Sequence, residues 1–268
     1  INFCFTDFKT GNKFDVEYPE GSGKIWTGAF AMTAAMKRAV EDGWDIINPS
    51  VLYNLSKDDI LNIFRHVSTP IPMLEARLNN LRDMGYMIKC HYGSFKRIFE
   101  DSNYLIAGAG GIIARLSDFE SYQDYTWHGG RKIYFNKRAQ LFPMMYHGRA
   151  LSSQGKLKPI RDPENFGPLA DYEVPKILRH FGILRYSAAL EKNVDQGITL
   201  EKNGYLEIAI RAQTVNAMSM LLSKINEKKS SYDLPSITMA ELDYVIWNMG
   251  RSPEFKSIRH HYVYTTAY

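Results

Sequence analysis

The sequence predicts a mainly α protein with a small β element, organised as a single helical domain. Three observations lead there. Most of the 268 residues lie in stretches whose apolar positions recur at helical spacing. Strand-like alternation is confined to residues 1–18, 132–135 and the tail from His260. No internal repeat or linker-like stretch divides the chain.

Residues 1–8 alternate aromatic and polar side chains, residues 13–18 alternate again, and Gly11 with Asn12 between them signals a hairpin. A helix is expected over 26–43, with Thr27 as its cap. Ala29, Ala31, Ala34 and Ala35 allow close packing, and Gly43 is its stop. Ser56 with Asp59 is the signature of a capping box opening a helix that runs to His66. Pro70 and Pro72 break the chain before a helix over 73–84, which Gly85 should end. A short helix is expected between Gly93 and Asp101, a strand over 132–135 and a helix over 137–146. Residues 151–167 are rich in Ser, Gly, Pro and charge, and read as a surface loop. Helices are then expected over 172–180, 187–193, 211–227 and 240–249, with a polar loop over 228–233.

Composition removes several classes of function. With 45% hydrophobic and 23% charged residues the chain can bury a substantial core, so long disorder is not expected. Seventeen Tyr and fourteen Phe supply burial and also stacking surfaces for planar ligands. The net charge of +4 comes from dispersed basic residues, which argues against a stable nucleic-acid partner. Cys4 and Cys90 cannot build a disulfide framework or a cysteine zinc site, and a reducing, cytoplasmic compartment fits them. No membrane span or signal peptide is visible, so no membrane partner is expected.

Familiar cofactor motifs fail on inspection. Gly108, Gly110 and Gly111 approach a dinucleotide fingerprint, but Ile113 holds the third glycine position. The GSGK at 21–24 lacks the first glycine of a phosphate loop, where Tyr18 stands, and Ile25 replaces its Ser/Thr. His260 and His261 are adjacent, so on a strand they point to opposite faces, and there is no HExxH and no GxSxG. Neither a metal nor another cofactor is called for.

The carboxylates are more telling. In the segment TMAELDYVIWNMG (238–250) Thr238 and Glu241 form a capping box and Gly250 a stop. Leu242, Val245, Ile246 and Met249 should face a core. Asp243 and Trp247, four residues apart, share one side of the helix. A carboxylate beside an indole at a buried edge is costly unless paired or used, whereas an exposed Asp near a helix start merely complements the dipole. In LADYEVPK (169–176) Asp171 precedes a helix that has Pro175 in its first turn and ends at Gly182, so capping competes with function there. Lys137 and Arg138 in FNKRAQ are a basic pair at a helix start, either a solvated face or an anion contact.

These blocks together resemble the queuosine 5′-phosphate N-glycosylase/hydrolase family of queuosine salvage proteins. The resemblance runs through NFCF (2–5), WTGAFAMTAAMKRAVEDG (26–43), STPIPMLEAR (68–77) and YFNKRAQLF (134–142). It continues through LADYEVPKILRHFGILRYS (169–187), ELDYVIWNMG (241–250) and the HHY…AY tail from His260. It implies one salvage domain over 1–268, distantly similar to helix-rich DNA base-excision glycosylases and lacking the further N-terminal helical segment that family members usually carry. It also implies hydrolysis of queuosine 5′-monophosphate to queuine and ribose 5-phosphate. The family often has a second carboxylate where Asn248 stands, and a tail richer in arginine where Tyr262 and Tyr264 stand.

The chemistry asks for such residues. Breaking a ribosyl C–N bond builds positive charge on the sugar, which a carboxylate can stabilise or attack. The departing base needs a proton or a strong donor. Asp243 is assigned to the sugar and Asp171 to the guanine-like edge of the base, an assignment that could be exchanged. Tyr244, Trp247 and Phe5 are expected to stack on the base or line the site, with Leu169 and Asn248 also at the substrate. Lys137, Arg138 and the His260/His261 pair are the residues assigned to the phosphate. The alternative is a non-catalytic binder of a modified nucleoside or of transfer RNA, which needs no buried carboxylate at the sugar. A glycosylase acting on damaged DNA would need a long basic surface.

Overall fold

A computed structural model describes residues 1–268. It is mainly helical, with two separate two-stranded antiparallel sheets. The chain divides into two units: Ile1–Asp101 with Ser117–Gln123, and Ser102–Leu116 with Asp124–Tyr268.

In the first unit, β1 (Asp15–Glu17) pairs with β2 (Ile25–Thr27). Then come α1 (Ala29–Glu41), α2 (Pro49–Tyr53), α3 (Lys57–Ile63), α4 (Leu74–Met87) and α5 (Phe95–Asp101). The hairpin expected around Gly11 and Asn12 shrinks to a single bridge between Thr6 and Lys13. The sheet forms with the next segment instead. Trp26 and Thr27, expected to begin α1, are strand residues paired with Val16 and Asp15. The switch falls at Gly28, whose φ of 62° and ψ of −131° suit a residue without Cβ, so the helix starts there and not at Thr27. The capping box of α3 forms as read, Ser56 and Asp59 bonding reciprocally.

Gly85 does not stop α4. The helix runs through it, and a Cβ there would collide with the backbone nitrogen of Tyr53. Glycine at this point lets α2 and α4 touch through their backbones. The core of this unit joins Phe5, Phe14, Val16, Ala31, Ala35, Leu55, Ile60 and Ile63. Arg77 is fully buried and donates to the carbonyls of Phe3 (2.5 Å) and Cys4 (2.8 Å), with its guanidinium 5.1 Å from the Phe5 ring. This contact is why the NFCF and STPIPMLEAR blocks, far apart in sequence, belong together.

The second unit holds α6 (Ile112–Leu116) and an antiparallel hairpin of β3 (Tyr125–His128) and β4 (Arg131–Tyr134). It continues with α7 (Lys137–Leu151), α8 (Glu173–His180), α9 (Ala188–Gln196), α10 (Tyr205–Ser230) and α11 (Met239–Arg251). Only β4 was expected. Its partner was readable in YTWHGGRKIY, where Gly129 and Gly130 both take positive φ as a tight two-residue turn requires. α10 begins six residues before the expected Arg211 (211 − 205) and reaches into the segment read as a loop. Lys228 and Lys229 in its last turn favour the helix dipole.

The helices α8, α10 and α11 pack around Val174, Ile177, Leu178, Met218, Leu242 and Ile246. Each such side chain contributes about 1.5–3 kcal/mol by leaving water. Val245, expected in this core, is exposed. Gly250 is not a stop either: it lies inside α11, where a Cβ would come within 2.9 Å of Glu173 Oε2. Glu173 and Lys176 form a buried ion pair on α8, and Lys176 Nζ also donates to the Gly250 carbonyl at 2.6 Å. The pair lies within α8 and adds little stability, while the Lys176 bond to Gly250 ties α8 to α11. The tail packs through Val263 and Tyr268 against Leu190, Val194, Leu200 and Ile210, and Tyr262 bridges to Thr199. No helix is long and apolar enough to cross a membrane.

Candidate active site

Asp243 sits one turn into α11, behind the capping box read from the sequence: Glu241 N–H donates to Thr238 Oγ1 at 3.2 Å, and Thr238 N–H to Glu241 Oε2 at 2.7 Å. The cap fixes the phase of the helix. Leu242 and Ile246 face the core, Tyr244 and Val245 face out, and Asp243 is 4% exposed. The exposed, dipole-complementing alternative for Asp243 is therefore excluded. Its Oδ1 accepts the backbone N–H of Leu169 at 3.2 Å.

Asp171 lies two residues after Leu169 and is equally buried. Its Oδ1 accepts from the Glu173 and Val174 N–H groups at 2.9 and 3.0 Å. So Asp171, one residue before the N-cap Tyr172, satisfies the first two amides of α8 through Oδ1, and its other oxygen, Oδ2, takes no part in those bonds. Lys137 opens α7 just after Asn136, which takes a left-handed φ of 52° that Asn tolerates well. Lys137 and Arg138 are both buried, which rules out a solvated basic face.

The electrostatics bind Asp171, Asp243 and Lys137 into one cluster. Burial pushes the Asp243 carboxyl up to about 7, the neighbouring Asp171 charge adds to this, and the Leu169 amide and Lys137 oppose it. Asp171 is also raised by burial, against the pull of Lys137. Burial lowers Lys137, while the charges of Asp171 and Asp243 work to keep it protonated. Two acids and one base thus share a water-poor space, where field effects are large.

The other residues assigned from the sequence fall around this cluster or elsewhere. Leu169 is buried and supplies the amide already described. Trp247 is half-buried with Arg251 4.9 Å from its ring, and Asn248 Nδ2 donates to the Tyr244 carbonyl at 2.8 Å. Tyr244 is 65% exposed. The tail reaches Asp171 through its neighbour, since the rings of Tyr172 and His260 stack at 4.4 Å. His261 is buried, meets the Tyr268 hydroxyl at 3.3 Å, and is pushed down to about 3 by burial and by His260 and Arg211. It is therefore a neutral imidazole. Phe5 lies in the core of the first unit.

Asp124 and Arg211 belong to no motif recognised above, yet both are buried and paired in two places, at 2.8 and 2.7 Å. Their only trace in the sequence is the four-residue spacing of Glu207 and Arg211 on one face of α10.

A helical protein with two buried acids in the field of a buried lysine is of the class suited to reactions that develop positive charge on a bound substrate. The family model for queuosine salvage proteins matches residues 1–268, and the chain belongs to that family. It is similar to proteins named queuosine 5′-phosphate N-glycosylase/hydrolase. The one from Sphaerobacter thermophilus is 28% identical over 273 residues, covering 100% of this chain and 78% of the relative. That from Nematostella vectensis is 27% identical over 252 residues, covering 88% and 70%. That from Bos taurus is 27% identical over 269 residues, covering 98% and 77%.

Proposed function

We propose that this chain hydrolyses the N-glycosidic bond of queuosine 5′-monophosphate, releasing queuine and ribose 5-phosphate for transfer-RNA modification. The observation that carries this reading is the joint burial of Asp171 and Asp243 beside Lys137, with the Asp243 carboxyl raised to about 7. A site that only binds a nucleoside gains nothing from so costly a carboxylate. A site that must meet an oxocarbenium-like sugar does.

In this mechanism ionised Asp243 faces the ribose carbon and stabilises its developing charge, or bonds to it before water takes its place. Asp171 holds the base through Oδ2, accepting from the N–H groups of its guanine-like edge. The C–N bond breaks, oxygen from water ends on the sugar, and a proton ends on the base. That proton comes from the attacking water, whose other atoms complete the sugar hydroxyl. Tyr244, Trp247, Leu169 and Asn248 bound the base, and Lys137, Arg138 and His261 serve the 5′-phosphate end. Residues 1–268 act as one salvage module. A cytoplasmic setting suits the two free thiols, Cys4 and Cys90.

The test is incubation with queuosine 5′-monophosphate and chromatography for free queuine, with the unphosphorylated nucleoside in parallel. Release of queuine that depends on Asp243 supports the reading. Tight binding of the nucleotide without release would replace it with a binding role.

A further inference from the structure

The Asp124–Arg211 pair has a geometry that an ordinary core ion pair does not need. Arg211 Nη1 donates to Asp124 Oδ1 and Nη2 to Oδ2, a planar fork that fixes direction as well as distance. Each partner then reaches the acid cluster by its own route. Asp124 Oδ2 also accepts the Lys137 backbone N–H at 2.9 Å. The Asp124 carbonyl accepts from Phe135 at 3.0 Å and Asn136 at 3.4 Å. These bonds hold the left-handed corner at Asn136 from which Lys137 departs.

Arg211 reaches the other side. Its Nε donates to the carbonyl of Ala170 at 3.3 Å. Ala170 stands between Leu169, whose N–H holds Asp243, and Asp171. The guanidinium lies 4.0 Å from the Phe135 ring and 4.7 Å from that of Tyr268, which keeps its plane in place. The pair thus touches the backbone of the lysine and the backbone beside Asp171, one residue from the amide that holds Asp243.

We infer that Asp124 and Arg211 are positioning residues, which hold the backbone at the root of Lys137 in place relative to the segment that carries Asp171 and binds Asp243. The inference rests on the hydrolase reading and extends it to two residues that act through their neighbours. A lysine amine rides on a flexible four-carbon stem, so its reach is defined only if its backbone and its targets share one anchor. Gln140 makes a second tie between the same segments, accepting from Gly167 N–H at 2.6 Å and donating to the Phe135 carbonyl at 3.2 Å. Loosening the fork should therefore misplace the amine without freeing the segments.

The experiment compares Asp124→Asn and Arg211→Lys with the wild type in steady-state hydrolysis of queuosine 5′-monophosphate. A ¹³C-carboxyl NMR titration of Asp243, assigned by its loss in Asp243→Asn, runs alongside. Burial sets that titration first, with the charge of Asp171 before α8, the Leu169 amide and Lys137 on α7 acting after it, and the Glu173–Lys176 pair lies further along against Gly250. Expected are a fall in kcat of about 10–100-fold with KM changed less than about threefold, and an Asp243 midpoint moved by about one pH unit or more. A lower melting temperature with kcat per folded molecule and the Asp243 midpoint both unchanged would overturn the inference. If the wild type releases no queuine but the midpoint still moves in the variants, the hydrolase reading falls and the positioning role stands. Asp124→Asn keeps the shape and an acceptor for the Lys137 amide, so it decides the matter even where Arg211→Lys does not fold.

Discussion

The backbone N–H of Leu169 donates to Asp243 Oδ1 across 74 residues of sequence. That bond joins the segment carrying Asp171 to the helix carrying Asp243, and it opposes a larger desolvation that raises the Asp243 carboxyl to about 7. A carboxylate held in this way is available to chemistry, and it costs the fold stability at neutral pH.

Asp243→Asn should lower queuine release by about 10³-fold or more while changing the pH dependence of stability in a defined sense. The folded carboxyl titrates above its unfolded value of 3.8. The native state therefore keeps its proton longer, and stability falls as pH rises from about 4 to about 7. At pH 8 the burden is at most about 4 kcal/mol, from roughly three pH units at 1.36 kcal/mol each. The variant should gain relative to wild type across this window, read by denaturant unfolding at several pH values. A constant difference would show that Asp243 is not perturbed.

His261→Asn should show the opposite slope. His261 is pushed down to about 3 in the folded protein, so the unfolded chain takes up a proton first on acidification. The wild type loses this contribution between about 6.5 and 3, and the variant does not. The relative stability of the variant should rise as pH falls through that range.

Asp171 separates capping from catalysis. Asn accepts helix N–H groups about as well as Asp, so Asp171→Asn should keep the two bonds to Glu173 and Val174 and leave stability within about 1 kcal/mol of wild type. Queuine release should still drop by at least about 10²-fold. Near-normal turnover in this variant would leave Asp171 as a cap alone.

The pH dependence of kcat/KM tests the role of Asp243 directly. If the ionised carboxylate faces the sugar, kcat/KM should climb with pH through an apparent midpoint near 7, the value of the free protein. A decline through the same midpoint would make Asp243 the proton donor and exchange its role with Asp171.

Tyr244→Ala should act on the substrate and spare the fold. The ring is 65% exposed, and the Asn248 bond goes to the Tyr244 backbone carbonyl. Stability should change by no more than about 0.5 kcal/mol. Loss of base stacking should raise KM roughly tenfold. Gly250→Ala should do the reverse. Its Cβ would press on Glu173 Oε2 at 2.9 Å, destabilising by about 1–3 kcal/mol in thermal unfolding.

Much of this protein was determined by local sequence alone. The helical class, the capping boxes at Ser56 and Thr238 and the helix carrying Asp243 depend on residues within one or two turns of each other, so short-range spacing sufficed. The two acids were legible through the blocks around them. Tertiary structure decided what spacing cannot encode. Gly85 and Gly250 looked like stops, because a glycine that ends a helix and one that admits a neighbouring backbone or carboxylate are identical in sequence. The burial of Lys137, and the Asp124–Arg211 fork that holds its backbone, exist only once segments 87 residues apart have met. The perturbed carboxyl at Asp243 arises in the same way, since removal of water and approach of another charge are properties of the assembled core.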